Sequence, residues 1–347
     1  MAAINLLRFP TTSPSDTIPL TGLQVSGYTA SDIIAVIGKT EGNGCVNDFS
    51  RTLSAHIWES KVPSSAVTVF SGGTEGILSP HVTFLVRAKQ GDRTGLVACS
   101  GHTRDFDPSE VGTETQAREV ASTIKIMQDD TGIHKDDVHL VLIKCPLLTS
   151  VDIETVRTQG LTPVTSDTYQ SMAVSRYASA IGIALALDEI SVEKVSAVLG
   201  LDADADAGAV WSSRASCSSG AELKNCHIMI LAADPAQKQG RLRAKSGHMK
   251  DAIDARVLLD MLEQIRAENG EVVQVFVKAE ADPSGSIRGL RHTMNTDSDI
   301  QSTRHARAAV GGLVAGLVGD SAVYVSGGGE GQGPPGGGSL CIVYSCT

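Results

Sequence analysis

Short, nearly unbroken apolar runs recur along the chain, and three of them end in a lysine: residues 33–39 (IIAVIGK), 140–144 (LVLIK) and 272–278 (VVQVFVK). Runs of this length, rich in valine and isoleucine, predict buried strands, each delivering one cation at its end. Downstream of each lysine stands a serine with a glutamate four residues on: Ser71 in SGGTE, Ser218 in SSGAE and Ser326 in SGGGE. Each serine precedes a further apolar run, HVTFLV from His81, CHIMIL from Cys226 and LCIVY from Leu340. Between lysine and serine lies an alanine-rich, helix-compatible stretch with an arginine, Arg51 in DFSRTLSA and Arg176 in AVSRYASA. The third arginine is Arg304 or Arg307. Arg307 stands 19 residues before Ser326, nearer than the 22 of Arg304 to the 20 that separate Arg51 from Ser71, and is preferred.

The order strand-lysine, helix-arginine, serine loop, strand thus occurs three times, which divides the chain into units at residues 1–104, 105–248 and 249–347. Helix-like stretches at residues 113–128 and 250–268 open the second and third units. Recurrence of three residue types in one order argues against coincidence and predicts an α/β fold of three similar units around a pseudo-threefold axis. Their strand ends would converge on one barrel-like central site lined by three lysines, three arginines and three serines. Such a site suits a flat ring with repeated carbonyl and amide groups.

Composition narrows the partners. A net charge of −10 opposes an extended nucleic-acid surface, since phosphate binding relies on clustered lysine and arginine. No signal-like start and no apolar run long enough to span a bilayer is present, which predicts a soluble cytoplasmic protein acting on a small molecule. Seven cysteines without CxxC spacing read as reduced thiols.

Lysine is a poor base at its ordinary pKa of about 10.4, but burial beside other cations disfavours its charged form. A neutral lysine can take the proton of a neighbouring serine, the Ser/Lys form of nucleophilic hydrolysis. Small residues after the serines leave backbone N–H groups free to hold a carbonyl oxygen or oxyanion. The forked donors of arginine suit the remaining ring oxygens. Cys145 and Cys217 flank Lys144 and Ser218, but strand alternation points neighbours to opposite faces, which disfavours a thiol nucleophile. The histidines form no HExxH or close pair for zinc. The segment 326–338 (SGGGEGQGPPGGG) lacks a Walker GK[ST] ending and reads as an ordered loop; with Glu280 nearby, its carbonyls offer oxygen ligands to Mg²⁺ or Ca²⁺.

Taken together, GKTEGNG (from Gly38), IKCPLL (from Ile143), VKAEAD (from Val277), SGGTEG (from Ser71), RASCSSGAE (from Arg214) and the 326–338 segment resemble the cyanuric acid hydrolase and barbiturase family, in order along essentially the whole chain. The resemblance implies three α/β units around a central site, a homotetramer and ring-opening hydrolysis of a cyclic amide. It implies Lys144 as base and Ser218 as nucleophile, with Ser71, Gly72, Ser218, Ser219, Ser326 and Gly327 as carbonyl-holding positions. Arg51, Arg176 and Arg307 fall on the substrate arginines, and Lys39 and Lys278 on the two supporting lysines. It also implies a structural Mg²⁺ or Ca²⁺ held by Glu280 and by main-chain oxygens near Gly329, Gln332, Gly333, Pro334 and Gly337, bracing the loop rather than activating water. Cyanuric acid is the favoured ring, with barbiturate, or ring binding without turnover, as alternatives.

Overall fold

A computed structural model describes residues 2–200 and 210–346; Met1, which begins the first predicted unit, Thr347, which ends the third, and residues 201–209 of the second lie outside the described residues. The first third of the chain runs β1 (Ala2–Pro10), α1 (Pro19–Val25), β2 (Ile33–Thr40), α2 (Phe49–Glu59), β3 (Val67–Gly72) and β4 (His81–Arg87). The middle follows with β5 (Leu96–His102), α3 (Glu114–Thr131), β6 (Val138–Pro146), α4 (Ser150–Thr158), α5 (Thr168–Ala186), α6 (Val192–Leu199), β7 (Ala215–Gly220) and β8 (His227–Ala233). The last part comprises β9 (Leu242–Met249), α7 (Ala255–Ala267), β10 (Gly270–Ala279), the short hairpin β11 (Ser286–Ile287) and β12 (Leu290–Arg291), α8 (Ser302–Val318), β13 (Tyr324–Gly327) and β14 (Gly338–Cys346). No helix among the described residues is long and apolar enough to cross a membrane.

One strand arrangement recurs three times in this mixed α/β fold. The neighbour orders β3-β2-β4-β1, β7-β6-β8-β5 and β13-β10-β14-β9 are the same; the first two join edge to edge through β1 and β5 into one eight-stranded sheet. In each copy the lysine strand pairs in parallel with the serine strand and antiparallel with the strand after it. Even the irregularity repeats. The register against the following strand shifts at Ile33/Ala35, Val138/Leu140 and Val272/Gln274, so each regular stretch resumes four residues before the lysine. Such a bulge increases local twist and re-aims the strand end.

β5 pairs with both β1 and β8, and β9 pairs with β14; the sequence division at 104/105 and 248/249 places β5 in the first unit and most of β9 in the second. The third-unit helix starts at Ala255, not at 250, because Asp254 folds back to accept the Lys250 N–H and holds residues 250–254 in a turn.

Two faces of each sheet are buried. Outward, separate cores pack helices against the sheets, as where α3 and α5 cover β6 through Val120, Ile124, Val141, Ile143 and Ile183. Inward, Ile37, Val69, Leu142, Met229, Phe276, Tyr324 and Val343 form one core to which all three copies contribute. Strands buried on both sides read as continuous apolar runs, which is why the lysine strands were legible.

Candidate active site

The parallel pairs set the chemistry by register. Lys39 is the cross-strand partner of Ser71, Lys144 of Ser218 and Lys278 of Ser326. The serines therefore lie inside strands, one or two residues before their ends, not in the loops expected from their glycine-rich context. All three lysines and all three serines are buried.

The ammonium contacts repeat as well. Lys39 donates to the Gly72 carbonyl at 3.1 Å, Lys144 to the Ser219 carbonyl at 3.1 Å and Lys278 to the Gly327 carbonyl at 3.2 Å. Two lysines also reach into the preceding copy: Lys144 donates to the Phe70 carbonyl (2.7 Å) and Lys278 to the Cys217 carbonyl (2.8 Å), each just before a serine. Ser71 donates to Ser326 at 3.4 Å. The lysine-serine pairs thus meet one another at one centre.

The three pairs differ in a way that bears on reactivity. Lys278 donates to Ser326 Oγ at 2.9 Å and Lys39 to Ser71 Oγ at 3.4 Å. Ser218 Oγ is buried with no hydrogen-bond partner, and Lys144 makes no hydrogen bond to it. Burial pushes the Lys144 amine down to about 8, although Glu222, 3.6 Å away, pulls it back up. Lys39 is also held well below the ordinary lysine range by burial and by Arg307, and Lys278 falls to about 7 through burial and Arg176. A neutral amine has two N–H donors and one lone pair. When Lys144 is neutral, its two N–H groups can keep both carbonyl contacts and its lone pair can take a proton; Glu222 beside it favours the charged form.

Arg51, Arg176 and Arg307 lie on α2, α5 and α8, each in its helix's buried face. Of the two candidates on α8, Arg307 is 3% exposed at its side chain and Arg304 is 35% exposed, which places Arg307 inward. The residues that hold these arginines are the recurring glutamates, noted in the sequence as a spacing but given no role. Glu75 accepts from Arg307 at 2.8 and 2.5 Å, and Glu330 from Arg176 at 2.9 and 2.8 Å, each a two-pronged contact between copies. Glu222 is shared instead, supporting Arg51 electrostatically while pairing with Lys144. Arg51 is left to donate to the Cys45 carbonyl at 2.7 Å, and its Nε has no partner. Gly73 and Gly328, at positive φ, lie directly under the Arg307 and Arg176 guanidiniums, where a side chain would collide.

Cys145 and Cys217 face the outer core, and burial holds their thiols protonated, so neither meets the requirements of a nucleophile. All seven cysteines are free.

The loop after Ser326 is tied down by Gln332, whose side chain accepts from the Cys217 N–H at 2.5 Å and donates to the Gly328 carbonyl at 3.1 Å. The carbonyls of Gly329, Gln332 and Pro334 each accept one main-chain N–H from within the loop or from Ser339, leaving a second lone pair on each. Glu280 faces this loop with the Gly336 N–H at 2.9 Å as its donor, and burial beside Glu330 pushes its carboxyl up to about 7. A carboxyl so placed, among carbonyls, fits a hard divalent cation. Among the described residues no group of three or more His, Cys, Asp or Glu side chains could hold a metal ion, so a cation here would rely on main-chain oxygens beside Glu280.

Residues 5–345 match the family model for the amidohydrolase ring-opening protein. A cyanuric acid amidohydrolase from Sarocladium sp is 60% identical over 347 residues, covering all of both chains. Another from Pseudonocardia dioxanivorans is 54% identical over 99% of each. The crystal structure of a cyanuric acid hydrolase from A. caulinodans superposes with a TM-score of 0.91 at 42% identity and full coverage of both chains. A second solved cyanuric acid hydrolase, described as an innovation by structural concatenation, gives 0.90 at 40% identity over all of both chains. The match along almost the whole length, with the recurring lysine, serine and arginine positions buried together, establishes that the chain belongs to the ring-opening amidohydrolase family.

Proposed function

We propose that the protein is a cyanuric acid amidohydrolase, opening the ring of cyanuric acid to carboxybiuret, which loses CO₂ to give biuret. Relatives of that activity at up to 60% identity over full length support the substrate. The observation that carries the chemistry is the in-register pairing of a buried lysine with a buried serine three times over around one centre. We take the centre to be the mouth of a barrel with pseudo-threefold symmetry, built from units that begin at β1, β5 and β9.

Ring opening then runs as follows. Ser218 Oγ attacks one ring carbonyl carbon while its proton passes to the neutral Lys144 amine. The oxyanion is held by N–H groups at the serine strand ends, with Ser71, Gly72, Ser219, Ser326 and Gly327 in the same positions around the other carbonyls. Arg51, Arg176 and Arg307 anchor the ring oxygens, with Glu75 and Glu330 fixing two of the forks. The C–N bond breaks, the leaving nitrogen takes the proton from Lys144, and water hydrolyses the resulting acyl-enzyme. Lys39 and Lys278 balance charge. A Mg²⁺ or Ca²⁺ held by Glu280 and the carbonyls of Gly329, Gln332, Gly333, Pro334 and Gly337 would brace the loop that follows Ser326. The family resemblance supports a homotetramer, and the sequence, with no signal-like start, supports a cytoplasmic location.

The direct Lys278–Ser326 contact of 2.9 Å favours a second reading, in which that pair is the nucleophilic one. However, Ser326 Oγ already accepts from both Lys278 and Ser71, whereas Ser218 Oγ is unpartnered and free to react. Purified protein supplied separately with cyanuric acid and with barbiturate tests the substrate. Loss of cyanuric acid with formation of biuret is expected; turnover of barbiturate alone would reject it.

A further inference from the structure

The threefold recurrence breaks two residues before each serine, where the copies carry Val69, Ser216 and Tyr324. Tyr324 lies on β13 opposite Phe276 and, by strand alternation, on the same side as Ser326. Its ring belongs to the core shared by all three copies, tilted against Phe276 at 5.7 Å, with the Lys39 ammonium 5.9 Å from its centroid. The aromatic body thus plugs the centre from below, and its hydroxyl emerges among the hydroxyls of Ser218, Ser71 and Ser326.

That hydroxyl is buried and has no formed hydrogen bond. Ser71 and Ser326 are engaged by lysines and by each other, whereas Ser218 Oγ has no partner either. Ser216 Oγ, at the position equivalent to Tyr324, is unpartnered too, but the hydroxyls around the phenol are those of Ser218, Ser71 and Ser326, and of these Ser218 alone has no partner. Packing alone does not account for the phenol, since phenylalanine fills the same space without an unsatisfied polar atom, as Phe276 does on the adjacent strand. A phenol has a single hydrogen to donate, so it can serve only one of three serines.

We propose that Tyr324 is a positioning residue that directs its hydroxyl to Ser218 Oγ as that oxygen loses its proton to Lys144, singling out one serine in an otherwise repeated centre; this rests on the Ser218/Lys144 reading above. The phenol keeps its own proton throughout. It acts as a fixed donor to developing negative charge in a buried site, where such donors contribute most. Burial pushes its acidity down, which preserves the donor.

The test is Tyr324→Phe in the full-length protein, read by kcat, KM and thermal midpoint with cyanuric acid. The expected result is a fall in kcat of about 10- to 100-fold with KM within about threefold, and a thermal midpoint equal to or above that of the parent. Unchanged kcat, or a rise in KM alone, would overturn the proposal. Tyr324→Met, which also removes the hydroxyl but fills space flexibly, serves if the phenylalanine variant is unfolded. Ser218→Ala and Lys144→Ala separate the two layers. If either retains turnover, the dyad reading itself fails; if both are inactive while Tyr324→Phe matches the parent, only the role of Tyr324 fails.

Discussion

At the scale of single residues, what distinguishes Ser218 and Lys144 from their repeats is what surrounds them. In its neutral form Lys144 keeps a lone pair after its two carbonyl contacts, and burial brings its amine down to about 8. The neutral base is populated as pH rises through that value, so kcat/KM should climb with pH to a plateau above about 8; a pH-rate profile flat from 6 to 9 would contradict Lys144 as base. Replacing Lys144 or Ser218 by alanine should cut turnover by about 10³-fold or more with the fold intact by circular dichroism. Cys217→Ala should keep most of the activity, since its thiol lies in the outer core. These lysines, serines and arginines were legible in the sequence because they recur. The roles of Glu75, Glu222 and Glu330 were not, since spacing says nothing of a contact made to an arginine of another copy. Tyr324 was invisible for the opposite reason: it occurs once.

At the scale of elements, Arg51, which no glutamate holds by a hydrogen bond, is aimed by the start of its helix. Asp48 caps α2 by accepting the Ser50 N–H at 3.0 Å, and also binds the Gly44 N–H at 2.8 Å, so it ties the loop on which Arg51 donates to the helix that carries it. Asp48→Ala should cost about 0.5–2 kcal/mol in stability by denaturant unfolding and raise KM for cyanuric acid several-fold through Arg51. Loss of stability without any change in KM would separate the cap from the site. The lysine strands and the strands after each serine were readable as apolar runs. β1, β5 and β9 were not, and β9 shows why: LRAKSGHM lies at a sheet edge with mixed burial, and its place comes from pairing with β14 rather than from its own pattern. The serine strands were read as loops because β3, β7 and β13 end in glycine-rich sequence; parallel pairing with the lysine strands makes them strands.

At the scale of the whole molecule, joining three similar sheets around a shared core buries groups that a single unit would leave wet. His81, His139 and His227 are each held down to about 4, mainly by burial. Between pH about 6.5 and 4 the unfolded chain binds more protons at these sites than the folded one, so stability should fall as pH drops through that window. Thermal midpoints measured from pH 7 to 4 check this; a midpoint constant over that range would contradict it. The cation proposed near Glu280 makes a separate prediction: a chelator should lower the thermal midpoint of the folded protein, and added Mg²⁺ or Ca²⁺ should restore it, whereas no response would argue against the site. The most direct measurement of the central claim is a crystal structure with a slowly hydrolysed cyanuric acid analogue bound. The account predicts the ring among the three lysine-serine pairs, with Ser218 Oγ the hydroxyl nearest a ring carbonyl carbon, about 3–3.5 Å away. A ring bound elsewhere, or with Ser326 or Ser71 nearest the carbon, would contradict it.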